Sequence, residues 1–289
     1  VFKSLVEGYF GKPVEPWRPL PEWEFKNWDG WHEQGDGKLF LGINIQQGRV
    51  KDYEGTGFDV EGGQIKTALR KIVDEFNLHS VLTSSQSMVF RDIDPKDKDT
   101  IDAILKEHRI SPVESLDRLV VKSIACPALP LCGLAVTEAE RIMPEFLQKM
   151  RALLVKVGLP DEEIQFRITG CPNGCARPYM AECALVGDGP EMYQIWLGGS
   201  PANTRVASAF LNRVKWSALD DTLEPIFQLW ADLREPGEAF GDFVHRLGFE
   251  AVRTLLDPST GDAVLSKADR DEATSVSPAA MKPAFSVNE

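Results

Sequence analysis

The sequence predicts an α+β fold in two units, one over residues 28–110 and one over 111–257. Three patterns carry that reading. Apolar residues recur at period two in short runs, as in Leu39, Leu41, Ile43 and Ile45 and again in Ile164, Phe166 and Ile168. Between these runs lie helical stripes such as Ile65, Leu69, Ile72, Val73 and Phe76, and strands mixed with helices in this way fold as layered α+β units. Beyond Asp257 the chain turns to Ser, Ala, Asp and Pro and loses periodicity, so residues 258–289 read as a disordered tail.

Taken in order, residues 1–27 open with the amphipathic VFKSLVEGYFGK and continue through EPWRPLPEW, whose prolines fix φ and disfavour helix. They read as an extended connector. The run KLFLGINIQQGRVKDY predicts a hairpin, with Gln47 and Gly48 turning the first strand into a second around Val50. The helix over Ile65 to Phe76 follows, then the strand-like SVLTSSQSMVF. Asp94 before Pro95 marks the start of a helix with Ile101, Ile104 and Leu105 on one face.

The second unit begins at a cysteine pair and passes into a long helix, where Thr137 and Glu140 have capping-box spacing and Pro144 predicts a bend. After Gly158, Leu159 and Pro160 comes a strand that runs straight into Gly170 and Cys171. RPYMAECALVG reads as a helix, YQIWLGG as a strand, and 218–234 and 238–256 as closing helices.

At 289 residues, 43% hydrophobic, 26% charged and 9% aromatic, the composition excludes disorder and collagen. No apolar run approaches the ~20 residues of a bilayer-spanning helix, so no membrane role is expected. Forty-four acids against 32 bases leave a net charge of −12, which argues against nucleic acid as a partner because phosphate backbones are bound by clustered Lys and Arg. The sequence opens at Val1 with no Met and no targeting peptide ahead of it, as expected of part of a longer polypeptide.

All five cysteines fall within one stretch. Cys126 and Cys132 are separated by five residues, Cys171 and Cys175 by three, and thirty-eight residues lie between the pairs. An odd count in a chain rich in apolar residues argues for reduced thiols in a metal or catalytic role rather than a disulfide scaffold. Four thiolates suit a cubane cluster. A structural zinc and buried free thiols stay open, although zinc ribbons favour two to four residues between paired ligands. Cys183 stands apart as a small core residue. The four histidines, His32, His79, His108 and His245, lie outside both pairs, and Cys-x-x-Cys-His is absent, which excludes an attached c-type haem. Neither a Gly-x-Gly-x-x-Gly nor a P-loop pattern occurs, so electrons must come from a partner.

The strings ACPALPLCGLAVTEAER and RITGCPNGCARPYMAECALVG resemble the cluster and sirohaem region of assimilatory sulfite reductases. The stretch EPWRPLPEWEFKNWDGWHEQGDGKLFLGI looks like the ferredoxin-dependent branch of plants, algae and cyanobacteria. The likeness runs to about Leu256 and covers the C-terminal half of such an enzyme. It implies a ferredoxin-like half-domain at 28–110 followed by a mixed α/β sirohaem and iron-sulfur-binding domain at 111–257. It also implies the six-electron reduction of sulfite to sulfide with ferredoxin as electron donor, in the chloroplast stroma or a cyanobacterial cytoplasm. Nitrite reductases share both spacings but carry polar residues between the first two cysteines, so sulfite is preferred. The alternative from another class is a non-enzymatic, zinc-stabilised binding module.

Carried over by resemblance, Cys126, Cys132, Cys171 and Cys175 bind a 4Fe-4S cluster, and Cys175 also bridges to the sirohaem iron. Asn173, Gln86 and Arg177 contact the macrocycle, Arg177 through a charge-assisted pair with one of its carboxylates. The substrate-facing basic residues belong to the N-terminal half of the same enzyme, ahead of Val1. For an acidic ferredoxin, Arg141, Lys149, Arg151 and Lys156 on the helix after the first cysteine pair make a candidate basic face; the alternative, slightly preferred, is a solvated helix surface with the main docking site on the N-terminal half.

Overall fold

The computed structural model describes residues 1–16, 18–19, 26–53 and 63–256. The expected tail at 258–289 and part of the expected connector lie outside them. In chain order the elements are α1 (Phe2–Phe10), β1 (Gly30–Glu33), β2 (Leu39–Asn44), α2 (Ile65–Phe76), β3 (His79–Leu82), β4 (Ser87–Ile93) and α3 (Lys98–Glu107). They continue with α4 (Arg118–Lys122), β5 (Ile124–Ala125), α5 (Met143–Lys156), β6 (Phe166–Thr169), β7 (Cys183–Gly189), β8 (Met192–Leu197), β9 (Ser208–Lys215), α6 (Leu219–Leu233), α7 (Phe240–Leu247) and α8 (Phe249–Leu255).

Two sheets organise two cores. The first is antiparallel in the order β1-β2-β4-β3, and α2 and α3 bury Leu69, Ile72, Ile101 and Ile104 against Leu41, Ile43 and Phe90. The second has the order β5-β6-β7-β8-β9, parallel from β5 to β7 and antiparallel thereafter. All four residues of β6 and the first five of β7 are buried, as expected of central parallel strands covered on both faces. Helices α5, α6 and α7 cover this sheet with Phe146, Leu147, Phe227, Trp230 and Phe240.

Several local expectations are corrected. Residues 2–10 of the expected extended connector form a helix, closed by Gly11 in the left-handed region and burying no residue. The hairpin into Val50 does not form. Gln46–Gly48 is a 3-10 turn, and both edges of β2 are already taken by β1 and β4. SVLTSSQSMVF is a hairpin, β3 into β4, rather than one strand, and Gln86 sits in its turn at φ 61°. Thr137 and Glu140 do not cap a helix, since the Thr137 hydroxyl bonds to Tyr193 and Glu140 pairs with Arg49. Pro144 stands in the first turn of α5 and opens that helix rather than bending it, because a first-turn proline removes no helical hydrogen bond. Cys183 begins strand β7 instead of lying on a helix, though it is fully buried as expected.

Beneath β7, Glu182 is 1% exposed and accepts the backbone N–H groups of Gln165 and Gly241 at 2.9 and 3.1 Å. Burial outweighs those donors and raises its pKa from 4.5 to about 7. A carboxyl raised on folding stabilises the fold fully below about pH 4.5 and loses that contribution as pH climbs through about 7. Relative to Glu182→Gln, the wild type is therefore expected to lose about 3 kcal/mol of unfolding free energy between pH 4.5 and 7.5. Urea midpoints across that range measure it, and a pH-independent difference would contradict the assignment.

Candidate iron-sulfur site

Both cysteine pairs leave from the carboxyl ends of neighbouring parallel strands. In register, Ala125 on β5 lies beside Ile168 on β6, so Cys126 emerges one residue past the first strand and Cys171 two past the second. Strand pairing thus closes a gap of forty-four residues in sequence between Cys126 and Gly170. The two loops then interlock through backbone contacts. Cys126 donates its N–H to the Ile168 carbonyl at 3.2 Å, Val136 to Gly170 at 2.8 Å, and Glu140 back to Cys126 at 3.1 Å.

Gly170 makes that approach possible. A Cβ there would stand 2.7 Å from the Ala128 Cβ, 2.8 Å from the Thr137 carbonyl oxygen and 3.0 Å from the Ala135 Cβ, all on the first loop. From the other side Gly187 closes on Gly170, where a Cβ would fall 2.4 Å from its carbonyl oxygen.

The Cys126 sulfur accepts the Gly170 N–H at 3.3 Å, and the Ala128 N–H acts on it in the same sense. Burial pushes this thiol up, and the nearby Cys175 and Cys171 push it the same way, so three of the four sulfurs share one electrostatic neighbourhood. Cys132 is held on the same loop by donation of its N–H to the Ala128 carbonyl at 2.8 Å. Cys126 and Cys171 are buried, Cys132 half-buried and Cys175 exposed. Backbone donors aimed at sulfur, and thiols on two rigid loops, match the chemistry of an iron-sulfur cluster. Cys183 is fully buried and its thiol is pushed far up by desolvation, which suits a core residue rather than a thiolate ligand.

The other expected site residues divide. Asn173 is exposed at the tip of the turn between Cys171 and Cys175. Arg177, in a left-handed conformation, reaches across to the Ser84 carbonyl in the first unit at 2.5 Å, and burial lowers its pKa. Gln86 uses both ends of its amide on one residue: Nε2 donates to the Ala125 carbonyl at 2.8 Å, and Oε1 accepts the Ala125 N–H at 3.1 Å. It prolongs the edge of β5 immediately ahead of Cys126. Together with the two-pronged ion pair of Arg49 with Glu140, it ties the first unit to the first cysteine loop. Gln86→Ala leaves two backbone groups without their partner and should cost about 1–3 kcal/mol, read from a urea midpoint. No change in the midpoint would mean that solvent replaces the amide without loss.

Sequence reasoning missed Arg167. It is 2% exposed in β6, where its guanidinium donates to the Arg177 carbonyl at 2.9 Å and to Asn203 Oδ1 at 2.8 Å. Burial, with Arg177 nearby, lowers its pKa to about 10. A charged residue inside an apolar run leading to a cysteine was the available signal. A cleft of about 480 Å³ opens beside Pro127 between the units, bordered by Arg49, Leu82, Gln86, Met88 and Glu140. A larger one, about 620 Å³, includes Ile124, Gln165 and Arg167 on the amino-terminal side of β5 and β6 and contains no cysteine.

The cations of the candidate basic face, three on α5 and Arg141 just ahead of it, are paired within the chain, which suits the alternative of an ordinary solvated surface. Arg151 grips Asp117 with two nitrogens and the carbonyls of Pro160 and Glu162 with a third. Lys149 meets Glu145 and Asp220, Lys156 meets Glu224, and Arg141 meets Glu138. Among the described residues no helix is long and apolar enough to cross a membrane.

Two cysteine pairs at the ends of adjoining parallel strands, beside an antiparallel α+β unit, are an arrangement suited to an iron-sulfur protein of mixed architecture. Residues 118–262 match the nitrite and sulphite reductase 4Fe-4S domain, and residues 32–108 match the nitrite/sulfite reductase ferredoxin-like half domain. The chain belongs to the nitrite and sulphite reductase family. It is 48% identical over 257 residues to the sulfite reductase [ferredoxin] of Synechococcus elongatus, covering 89% of this chain and 40% of the relative. Against the sulfite reductase [NADPH] hemoprotein beta-component of Methylorubrum populi it is 39% identical over 250 residues, covering 86% and 40%. In fold it is similar to the NirA protein of Mycobacterium tuberculosis, with a TM-score of 0.65 at 22% identity over 87% of this chain and 46% of that one. The chain thus spans about 40% of the length of these curated relatives.

Proposed function

We propose that this chain is the cofactor-ligating part of a ferredoxin-dependent sulfite reductase, in which sulfite undergoes six-electron reduction to sulfide. The observation that carries the reading is the convergence of two cysteine pairs on adjoining strand ends, with Gly170 and Ala128 directing backbone donors at Cys126. Residues 28–110 serve as the ferredoxin-like half-domain and 111–257 as the cofactor domain. Cys126, Cys132, Cys171 and Cys175 hold a 4Fe-4S cluster, and the exposed Cys175 is the sulfur best placed to meet a sirohaem approaching from outside. Bound there, such a pair of groups would supply single electrons for the reduction of the oxyanion. Asn173, exposed beside Cys175, and Arg177 are assigned to contact the macrocycle. Gln86, with its amide committed to Ala125, acts by positioning the first cysteine loop rather than by touching the macrocycle.

The 48% identity to a sulfite reductase [ferredoxin], and the apolar residues between Cys126 and Cys132, support sulfite over nitrite and ferredoxin as donor. The cyanobacterial relative supports a cyanobacterial cytoplasm or a chloroplast stroma as the setting.

The test is the visible spectrum of the purified full-length protein together with iron, zinc and acid-labile sulfide counts, followed by turnover with sulfite and with nitrite. Cluster and macrocycle absorption with sulfite preferred is the expected result. About one zinc per chain without visible absorption would replace this reading with a zinc-stabilised module, and a clear preference for nitrite would reassign the substrate.

A further inference from the structure

We propose that Tyr179 is a positioning residue which braces the turn between Cys171 and Cys175 and so sets where those two sulfurs stand. The inference rests on reading the four cysteines as cluster ligands.

The turn is held at its two ends, where the Thr169 hydroxyl donates to the Cys171 carbonyl at 3.1 Å and the Arg177 N–H to the Gly174 carbonyl at 2.8 Å. Pro172, Asn173 and Cys175 are exposed, and no core residue packs between the two ligands. Tyr179 supplies two contacts from outside. Its hydroxyl donates to the Pro172 carbonyl at 2.6 Å. Its ring lies against Gly174, where a Cβ would stand 2.8 Å from Cε2 and 3.4 Å from Cδ2. Gly174 also has φ +69°, so the turn needs glycine there twice over, once for the backbone and once for the ring.

The brace is anchored. Tyr179 follows Pro178 in a 3-10 turn, and its carbonyl accepts the Ala207 N–H at 2.8 Å. Its ring meets Trp196 edge to face, with centroids 4.7 Å apart. Trp196 belongs to β8, and its indole N–H is held by Gln194 at 3.0 Å. A path of rigid contacts therefore runs from the sheet through Trp196 and Tyr179 to the turn.

The experiment compares Tyr179→Phe, Tyr179→Ala and Gly174→Ala in the full-length, cluster-loaded protein. Iron release to a ferrous chelator is followed by absorbance, and the reduced cluster by electron paramagnetic resonance. Tyr179→Phe keeps the ring and drops the donor, so iron should leave roughly three- to tenfold faster, the range one lost hydrogen bond allows. The resonance should shift at unchanged iron content, which a purely structural role would not produce. Tyr179→Ala should release iron faster still. If a variant loads poorly, coupling decides among the loaded molecules: Gly174→Ala should accelerate release less in the Tyr179→Ala background, where the ring it strikes is gone. Wild-type release and an unshifted resonance in Tyr179→Phe, or no coupling with Gly174→Ala, would overturn the inference. A wild type without iron or labile sulfide would instead remove the cluster reading on which it rests.

Discussion

Gly170→Ala is expected to destabilise the cofactor domain by about 3 kcal/mol or more and to prevent stable iron loading. The added methyl has nowhere to go, because the atoms it meets are the stub of Ala128, the backbone oxygen of Thr137 and the stub of Ala135, none of which can swing aside. Overpacking a close-packed site costs typically about 1–3 kcal/mol when side chains can rearrange, and here the loops themselves would have to part. Parting them would also break the Gly170 N–H contact to Cys126 and the Val136 bond to Gly170. Gly133→Ala, on the same loop but with nothing within 4 Å of its Cβ, serves as the control and should stay within about 0.5 kcal/mol of wild type. Denaturation midpoints and iron counts for the two variants provide the comparison. Equal behaviour would show that the loops are not locked at Gly170.

Cys175→Ser is expected to reduce sulfide formation in the full-length enzyme to background and to be the most damaging of the cysteine changes. Cys126, Cys132 and Cys171 each serve the cluster alone on the proposed reading, whereas Cys175 serves the cluster and the macrocycle iron together. Its exposure leaves its sulfur reachable from outside the domain, unlike the buried Cys126 and Cys171. Cys183→Ala is the contrasting change. It removes a fully buried sulfur from the core cluster and should lower stability by about 1 kcal/mol while leaving cluster iron intact. Sulfide production by Cys175→Ser at the wild-type rate would remove that residue from its assigned role, and loss of cluster iron from Cys183→Ala would show that the ligand set is wrong.

The expected α5 docking face illustrates how far sequence reaches into surface chemistry. Four cations close together in sequence suggest a positive face, but only three lie on α5, and Asp117, Asp220 and Glu224 come from elements remote in sequence and complete pairs with Arg151, Lys149 and Lys156. Arg151, with its four hydrogen bonds, is a staple of the domain. A charge reversal there would report on folding instead of docking.

The fold class, the helices α2 and α3 and the strands β2, β6 and β8 were legible in the sequence, because each depends on local periodicity along one chain; the four candidate ligands rest on spacing and resemblance. The stretch RPYMAECALVG reads as a helix but passes into strand β7 at Cys183, because a strand whose first five residues are all buried shows an apolar run without alternation, and periodicity cannot tell that run from a buried helix. The supposed hairpin at Gln47 failed because pairing partners are chosen by the whole sheet, and β1 and β4 had already filled both edges of β2.

By itself, the sequence offers four cysteines in two pairs as candidate ligands and sets Cys183 apart from them. Only the tertiary structure decided what holds them in place. Gly170 and Gly187 permit the loops to touch, Gln86 completes the edge of β5, and Tyr179 rests on Gly174. Each of these is a contact between residues distant along the chain or on separate elements, made at separations where a single methyl group would intrude. Such close approach leaves no periodic trace in a sequence, since it is set by the packing of backbones against one another.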